Sequence, residues 1–154
     1  MKKIMNFKTP VTIAALTLAL GACSSAPDYV ACPDITSPEE GARVYLATDT
    51  SAHEVDVRFN GVNPVCTRLP NGDTRVDVSM GLKMKRSFTE AAADVVTMPI
   101  LAAYVDTDEN VTYSEVMTYK AGFRKNEELK YPVAELQFDM PANNRLVLSL
   151  APNL

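Results

Sequence analysis

Arg75-Val76-Asp77-Val78-Ser79-Met80-Gly81-Leu82-Lys83-Met84-Lys85 is the stretch that decides the fold. Val76, Val78, Met80, Leu82 and Met84 face one way, and Arg75, Asp77, Ser79, Lys83 and Lys85 the other. A period of two sustained this long is a strand with one covered and one wet face, because successive side chains leave a pleated backbone on opposite sides. Immediately upstream stands Pro70-Asn71-Gly72-Asp73, whose Asn-Gly pair supplies the positive φ angles of a tight hairpin. Before that turn the alternation recurs, with Val55, Val57 and Phe59 apolar and Glu54, Asp56, Arg58 and Asn60 polar. Gly61 and Pro64 then interrupt it, which predicts a bulge or an edge. Gly41–Ala47 is a shorter apolar run further upstream.

Downstream, Met98–Val105 is apolar on both faces, so it is expected to be a central, covered strand. Asp106–Asn110 reads as a turn, and Val111–Phe123 alternates again with Tyr113, Met117, Tyr119, Ala121 and Phe123 on one side. Val133–Met140 and Arg145–Leu150 repeat the pattern. Helix signals are short. Ser37-Pro38-Glu39-Glu40 and Ser87-Phe88-Thr89-Glu90, the latter followed by Ala91–Ala93, each offer a capping serine and a glutamate three residues on, enough for a turn or two. Seven antiparallel strands with so little helix predict an all-β sandwich of immunoglobulin or fibronectin-III type. A small closed barrel is the alternative. With no Trp in the chain the Cys…Trp…Cys signature is missing, and the expectation covers architecture alone.

The N-terminus has a different grammar. Residues 1–8 are basic and carry no acid, and Val11–Leu20 is an apolar run of about ten residues, too short to span a bilayer, which takes about 20. Leu20-Gly21-Ala22-Cys23 follows, and this segment resembles the lipobox of bacterial lipoproteins. The resemblance implies cleavage after residue 22, with the Cys23 thiol taking a diacylglycerol and its new amino group a further acyl chain. One acyl chain holds only marginally, whereas two or three anchor stably. Ser24 rather than Asp follows Cys23, which resembles the class sorted to the outer membrane. The expected layout is a signal peptide over 1–22, a flexible tether over 23–31 and a sandwich domain over 32–154. The mature domain also resembles small outer-membrane lipoproteins of α-proteobacteria, through Cys32-Pro33, Cys66, and Ile100–Asp106 leading into Val111–Phe123. That likeness supports fold and address and brings no known activity with it.

Three lysines precede Cys23, so the mature chain carries 12 basic against 19 acidic side chains. Nucleic acid is an unfavourable partner for such a balance, since phosphate contacts require clustered Lys and Arg. Docking onto anionic lipid is disfavoured too, leaving attachment to the acyl chains. Once Cys23 is lipidated, Cys32 and Cys66 remain, an even pair in an oxidising compartment, and a disulfide between them is expected. Two free thiols or a metal pair are the alternatives, but His53 is the only histidine and no CxxC spacing occurs, so no metal or other cofactor is expected.

Candidate chemistry is sparse. His53 beside Glu54 lacks any Gly-x-Ser-x-Gly partner motif and reads as an exposed histidine rather than a catalytic base. Asp106-Thr107-Asp108-Glu109-Asn110 has calcium-loop spacing, yet Val111 stands where Gly is needed and Met117 where Glu is needed, so a polar hairpin turn is expected. Lys83, Lys85 and Arg86 form a basic run that would join Lys120, Arg124, Lys125 and Lys130 if their strands were neighbours. Such a patch either solvates a strand or docks an acidic envelope protein, with Tyr113, Tyr119 and Tyr131 near its rim. The function expected from these features is non-enzymatic: an outer-membrane lipoprotein, facing the periplasm, that binds or scaffolds another envelope protein. The alternative is a small-ligand or hydrolytic domain whose site is assembled from scattered residues.

Overall fold

A computed structural model describes residues 26–88 and 91–152, so Cys23 and the rest of the lipobox lie outside the described residues. All seven expected strands form. They are β2 (Arg43–Ala47), β3 (Glu54–Arg68), β4 (Thr74–Arg86), β5 (Asp94–Val105), β6 (Val111–Phe123), β8 (Val133–Met140) and β9 (Arg145–Leu150), joined by the two-residue strands β1 (Ile35–Thr36) and β7 (Leu129–Lys130). They make two sheets. In the larger, β2-β3-β4 form a meander, and β7 and β8 lie end to end along the far side of β4. The smaller has the order β1-β9-β5-β6. The sandwich expectation holds.

Placing β3, β4, β5, β8 and β9 on strands A, B, C, E and F gives the immunoglobulin neighbours A-B-E and C-F. The seat of strand G is taken instead by β1, which comes from the other end of the chain and is the one parallel partner, Ile35 opposite Leu146. The core fills the space between the sheets. Val57, Met80, Leu82 and Met84 from one side meet Met98, Ile100 and Leu146 from the other, all fully buried. β5 lies between β9 and β6 as expected of a covered strand, and Ala102–Val105 is buried on both faces.

The interruption at Gly61 is a bulge. Phe59 pairs with Leu82 and Val62 with Met80, so Asn60 and Gly61 together oppose Gly81. Gly61 has φ of 116°, a conformation that side-chained residues rarely adopt. This extra residue reverses the parity of β3. Val55 and Val57 point inward before it and Cys66 after it, and only then does Cys66 reach Cys32. Those two are joined in a disulfide with Cα atoms 5.2 Å apart.

Two sequence expectations need correcting. The flexible tether does not extend to residue 31, since Arg68 N–H donates to Asp28 O and Val30 N–H to Cys66 O, which ties residues 28–30 to the end of β3. Of the two helical turns, the first forms as a 3-10 turn at Glu39–Gly41, entered from Pro38 without a side-chain cap. At the second, Ala91–Ala93 is not helical and leads into β5, whose first residue Asp94 is held by hydrogen bonds from Thr50 and Ser51 N–H; Thr89 and Glu90 lie outside the described residues.

Candidate functional site

The expected basic patch is not assembled. Arg86 continues the even-numbered, inward series of β4 and is completely buried. Its guanidinium donates to Ala92 O at 2.8 Å, Arg124 O at 3.0 Å and Glu127 O at 2.9 Å, and lies 5.0 Å from the Phe123 ring centroid. Lys83 and Lys85 do face outward, but on the larger sheet, with Lys85 3.5 Å from Glu128. Lys120 faces outward from the smaller sheet, opposite Thr97. β4 and β6 belong to different sheets, so the two groups of cations point in opposite directions. Lys130 turns back over Phe123 and donates to Gly122 O, while Arg124 and Lys125 sit in the turn that follows β6.

The other candidates are structural in their contacts. His53 is half-buried rather than exposed: its ring lies 4.6 Å from that of Phe88, and its Nδ1 is buried without a partner among the described residues. An odd number shared with Val55 and Val57 puts it on their inward side. The Asp106–Asn110 segment is the β5–β6 hairpin turn, with Asp106 accepting the backbone N–H groups of Asp108 and Asn110. The Asn110 N–H first among these holds the Asp106 carboxyl below the usual range. Tyr113 and Tyr119 belong to the inner face of β6, where Tyr119 packs against the core and its hydroxyl donates to Val133 O at 3.4 Å, and of the three only Tyr131 stands on the side of Lys83.

Several charges on the outer face of the larger sheet are met by partners on neighbouring strands. Asp56 accepts from Arg43 at 2.8 Å and from Arg58, and the Arg43 bond first, then Arg58, lowers its pKa. Arg75 grips Asp139 with two bonds of 2.8 and 2.7 Å and lowers its pKa likewise. Gln137 donates to Asp77 at 2.6 Å. At the far end of the molecule burial by itself would raise Asp94. The N–H groups of Ser51 and Val95 and the hydroxyls of Ser51 and Thr48 outweigh it, and hold the carboxyl far below its ordinary value.

One part of that outer face lacks such pairing. Gly81 leaves the middle of β4 without a side chain, the β3 bulge sets Asn60 and Gly61 opposite it, and Tyr131-Pro132 separates β7 from β8 along the other edge. Leu82 N–H nevertheless donates to Pro132 O, so the edge stays attached while Tyr131 is 56% exposed. The result is an open depression of about 490 Å³, lined among others by Asn60, Asn63, Ser79, Tyr131, Val133 and Glu135. Ser79 donates to Glu135 at 2.7 Å, and among the described residues the Asn60 and Asn63 carboxamides and the Tyr131 hydroxyl have no partner. Sequence reasoning missed this feature. Its signals were present, a glycine at the one odd position of β4 that breaks the polar series and a second glycine where β3 loses its period. No protein-family model, curated protein or solved structure matches the chain.

Proposed function

We propose that this protein is a lipid-anchored, non-enzymatic binding module of the cell envelope, with the outer face of the larger sheet as its recognition surface. The single observation that carries the reading is the depression above Gly81, which is lined by three polar side chains that have no hydrogen-bond partner among the described residues. Its lining holds one carboxylate and no imidazole, thiol or ammonium group, the equipment of recognition rather than of nucleophilic or acid–base chemistry. This favours a discrete binding site over diffuse docking through a basic patch.

The address rests on the lipobox. Acyl chains on Cys23 would hold the protein at the outer membrane, facing the periplasm. Four residues lie between Cys23 and the first paired residue, Asp28, and the five steps reach at most about 18 Å. The domain would therefore stay close to the bilayer, with the tethered end of β3 and its hairpin turn nearest the lipid.

Two measurements test the reading. Labelled palmitate should enter the wild type and not Cys23→Ser, and label retained by the variant would defeat the anchor. A photo-cross-linker placed at Tyr131 should capture a defined envelope component, whereas one at Lys120, on the opposite face, should not. Identical capture from both positions would remove the larger sheet as the recognition surface.

A further inference from the structure

We propose that the depression above Gly81 binds a neutral oligosaccharide, an inference that rests on the binding-module reading and specifies its ligand. A carboxamide and a phenol each both donate and accept, as a sugar hydroxyl does, so Asn60, Asn63 and Tyr131 can meet hydroxyls in either sense. Glu135 accepts one bond from Ser79, and a carboxylate has further lone pairs for a ligand O–H. No Lys or Arg lines the depression, which leaves nothing to balance a phosphate, sulfate or carboxylate brought to it.

The apolar lining is narrow and confined to one side. Tyr131 and Val133 are more than half exposed and flank Pro132. Such an edge suits the C–H face of a pyranose ring, which packs on aromatic surface while its hydroxyls point away. It is too small to hold a purely apolar ligand against water. About 490 Å³ lies within the range of roughly 300–1,000 Å³ common for small-molecule sites. Because the depression is open, a chain of sugars could pass through it without presenting an end.

The floor is made by backbone. A Cβ at Gly81 would come within 3.1 Å of the Asn60 carbonyl oxygen, on the side where ligand would lie. Gly61 is held at positive φ, which keeps the bulge and its Asn60 in place. The shape is therefore set before any ligand arrives, and little ordering would be needed on binding.

The test is calorimetric titration of the full-length lipidated protein in a detergent without a sugar headgroup. The probes are chitotetraose, maltotetraose and a sulfated heparin tetrasaccharide. Saturable binding of at least one neutral tetrasaccharide is expected, and preference between the two tells an acetamido-sugar polymer from a glucose polymer. Tyr131→Ala and Asn63→Ala, both at exposed positions, should each weaken binding by about tenfold or more, and Lys120→Glu should leave it within about twofold. Gly81→Val should block it if the variant folds. The inference fails if neither neutral tetrasaccharide binds, if Tyr131→Ala and Asn63→Ala both bind as the wild type does, or if the sulfated probe binds best. A protein captured from position 131 without any saccharide binding would overturn the sugar and leave the binding module standing.

Discussion

Arg86 shows how one side chain can hold the end of a sandwich together. Among the described residues its charge is met by three carbonyl dipoles and the face of Phe123, with no carboxylate, yet it links the β4–β5 and β6–β7 connections. Replacing it by Leu would leave three carbonyls without their donor in a dry site, at about 1–3 kcal/mol each before relaxation. Arg86→Leu is expected to lose at least about 3 kcal/mol in urea unfolding, and a loss under about 1 kcal/mol would show that water enters and replaces the guanidinium. Asp94 works at the same end by a different rule. Its native pKa is depressed, so the stability it contributes is complete above the unfolded value of about 3.9 and disappears as pH falls through the native one. Asp94→Asn should therefore lower the melting temperature at pH 7 and flatten the decline between about pH 4 and pH 2. Parallel wild-type and variant curves over that range would dismiss the linkage.

At the scale of elements, the bulge in β3 and the disulfide are one device. Without the additional residue at Asn60-Gly61, the even-numbered Cys66 would face solvent and could not meet Cys32. The bond closes a loop of about 35 residues, for which chain entropy predicts roughly 3–4 kcal/mol. Removing both thiols, as Cys32→Ser with Cys66→Ser, should cost about that much. It should also speed hydrogen exchange at Val30 and Arg68 N–H, which pair beside the bond. Unchanged exchange at those two amides would mean that the strand pairing holds the segment unaided. Pro64 illustrates the same economy of position. β2 pairs with β3 only as far as Arg58, so Pro64 lies where the outer edge of β3 no longer faces β2 and its missing N–H breaks no β2–β3 pair.

For the molecule as a whole, the division into two sheets decides which surfaces exist. Lys83 and Lys85 share the larger sheet's outer face with Asp56, Asp77, Glu135 and Asp139, so they are part of a mixed-charge surface rather than a basic patch. Reversing both to Glu should change stability by about 1 kcal/mol or less, because the one ion pair lost is an exposed contact between Lys85 and Glu128. Chemical denaturation checks this, and a substantially larger loss would reveal coupling between that face and the core. Added salt should then weaken cross-linking from position 131 only modestly, since recognition at the depression would be uncharged.

Alternation in β4 and the Asn71-Gly72 turn were enough to establish a hairpin, and repeated alternation through β6, β8 and β9 was enough for an all-β sandwich. Strand formation follows from local period and turn chemistry, which are written in adjacent residues. The same parity, continued one residue further, already pointed Arg86 inward; a run of basic letters concealed it. What adjacency cannot encode is which strands pair and which face they share. β1 beside β9, Lys83 and Lys120 on opposite outer faces, and the joining of Gly81, Asn60 and Tyr131 around one depression are long-range facts. Only tertiary structure decides them, because sheet order is selected by burying all the apolar faces at once rather than by any one segment's preference.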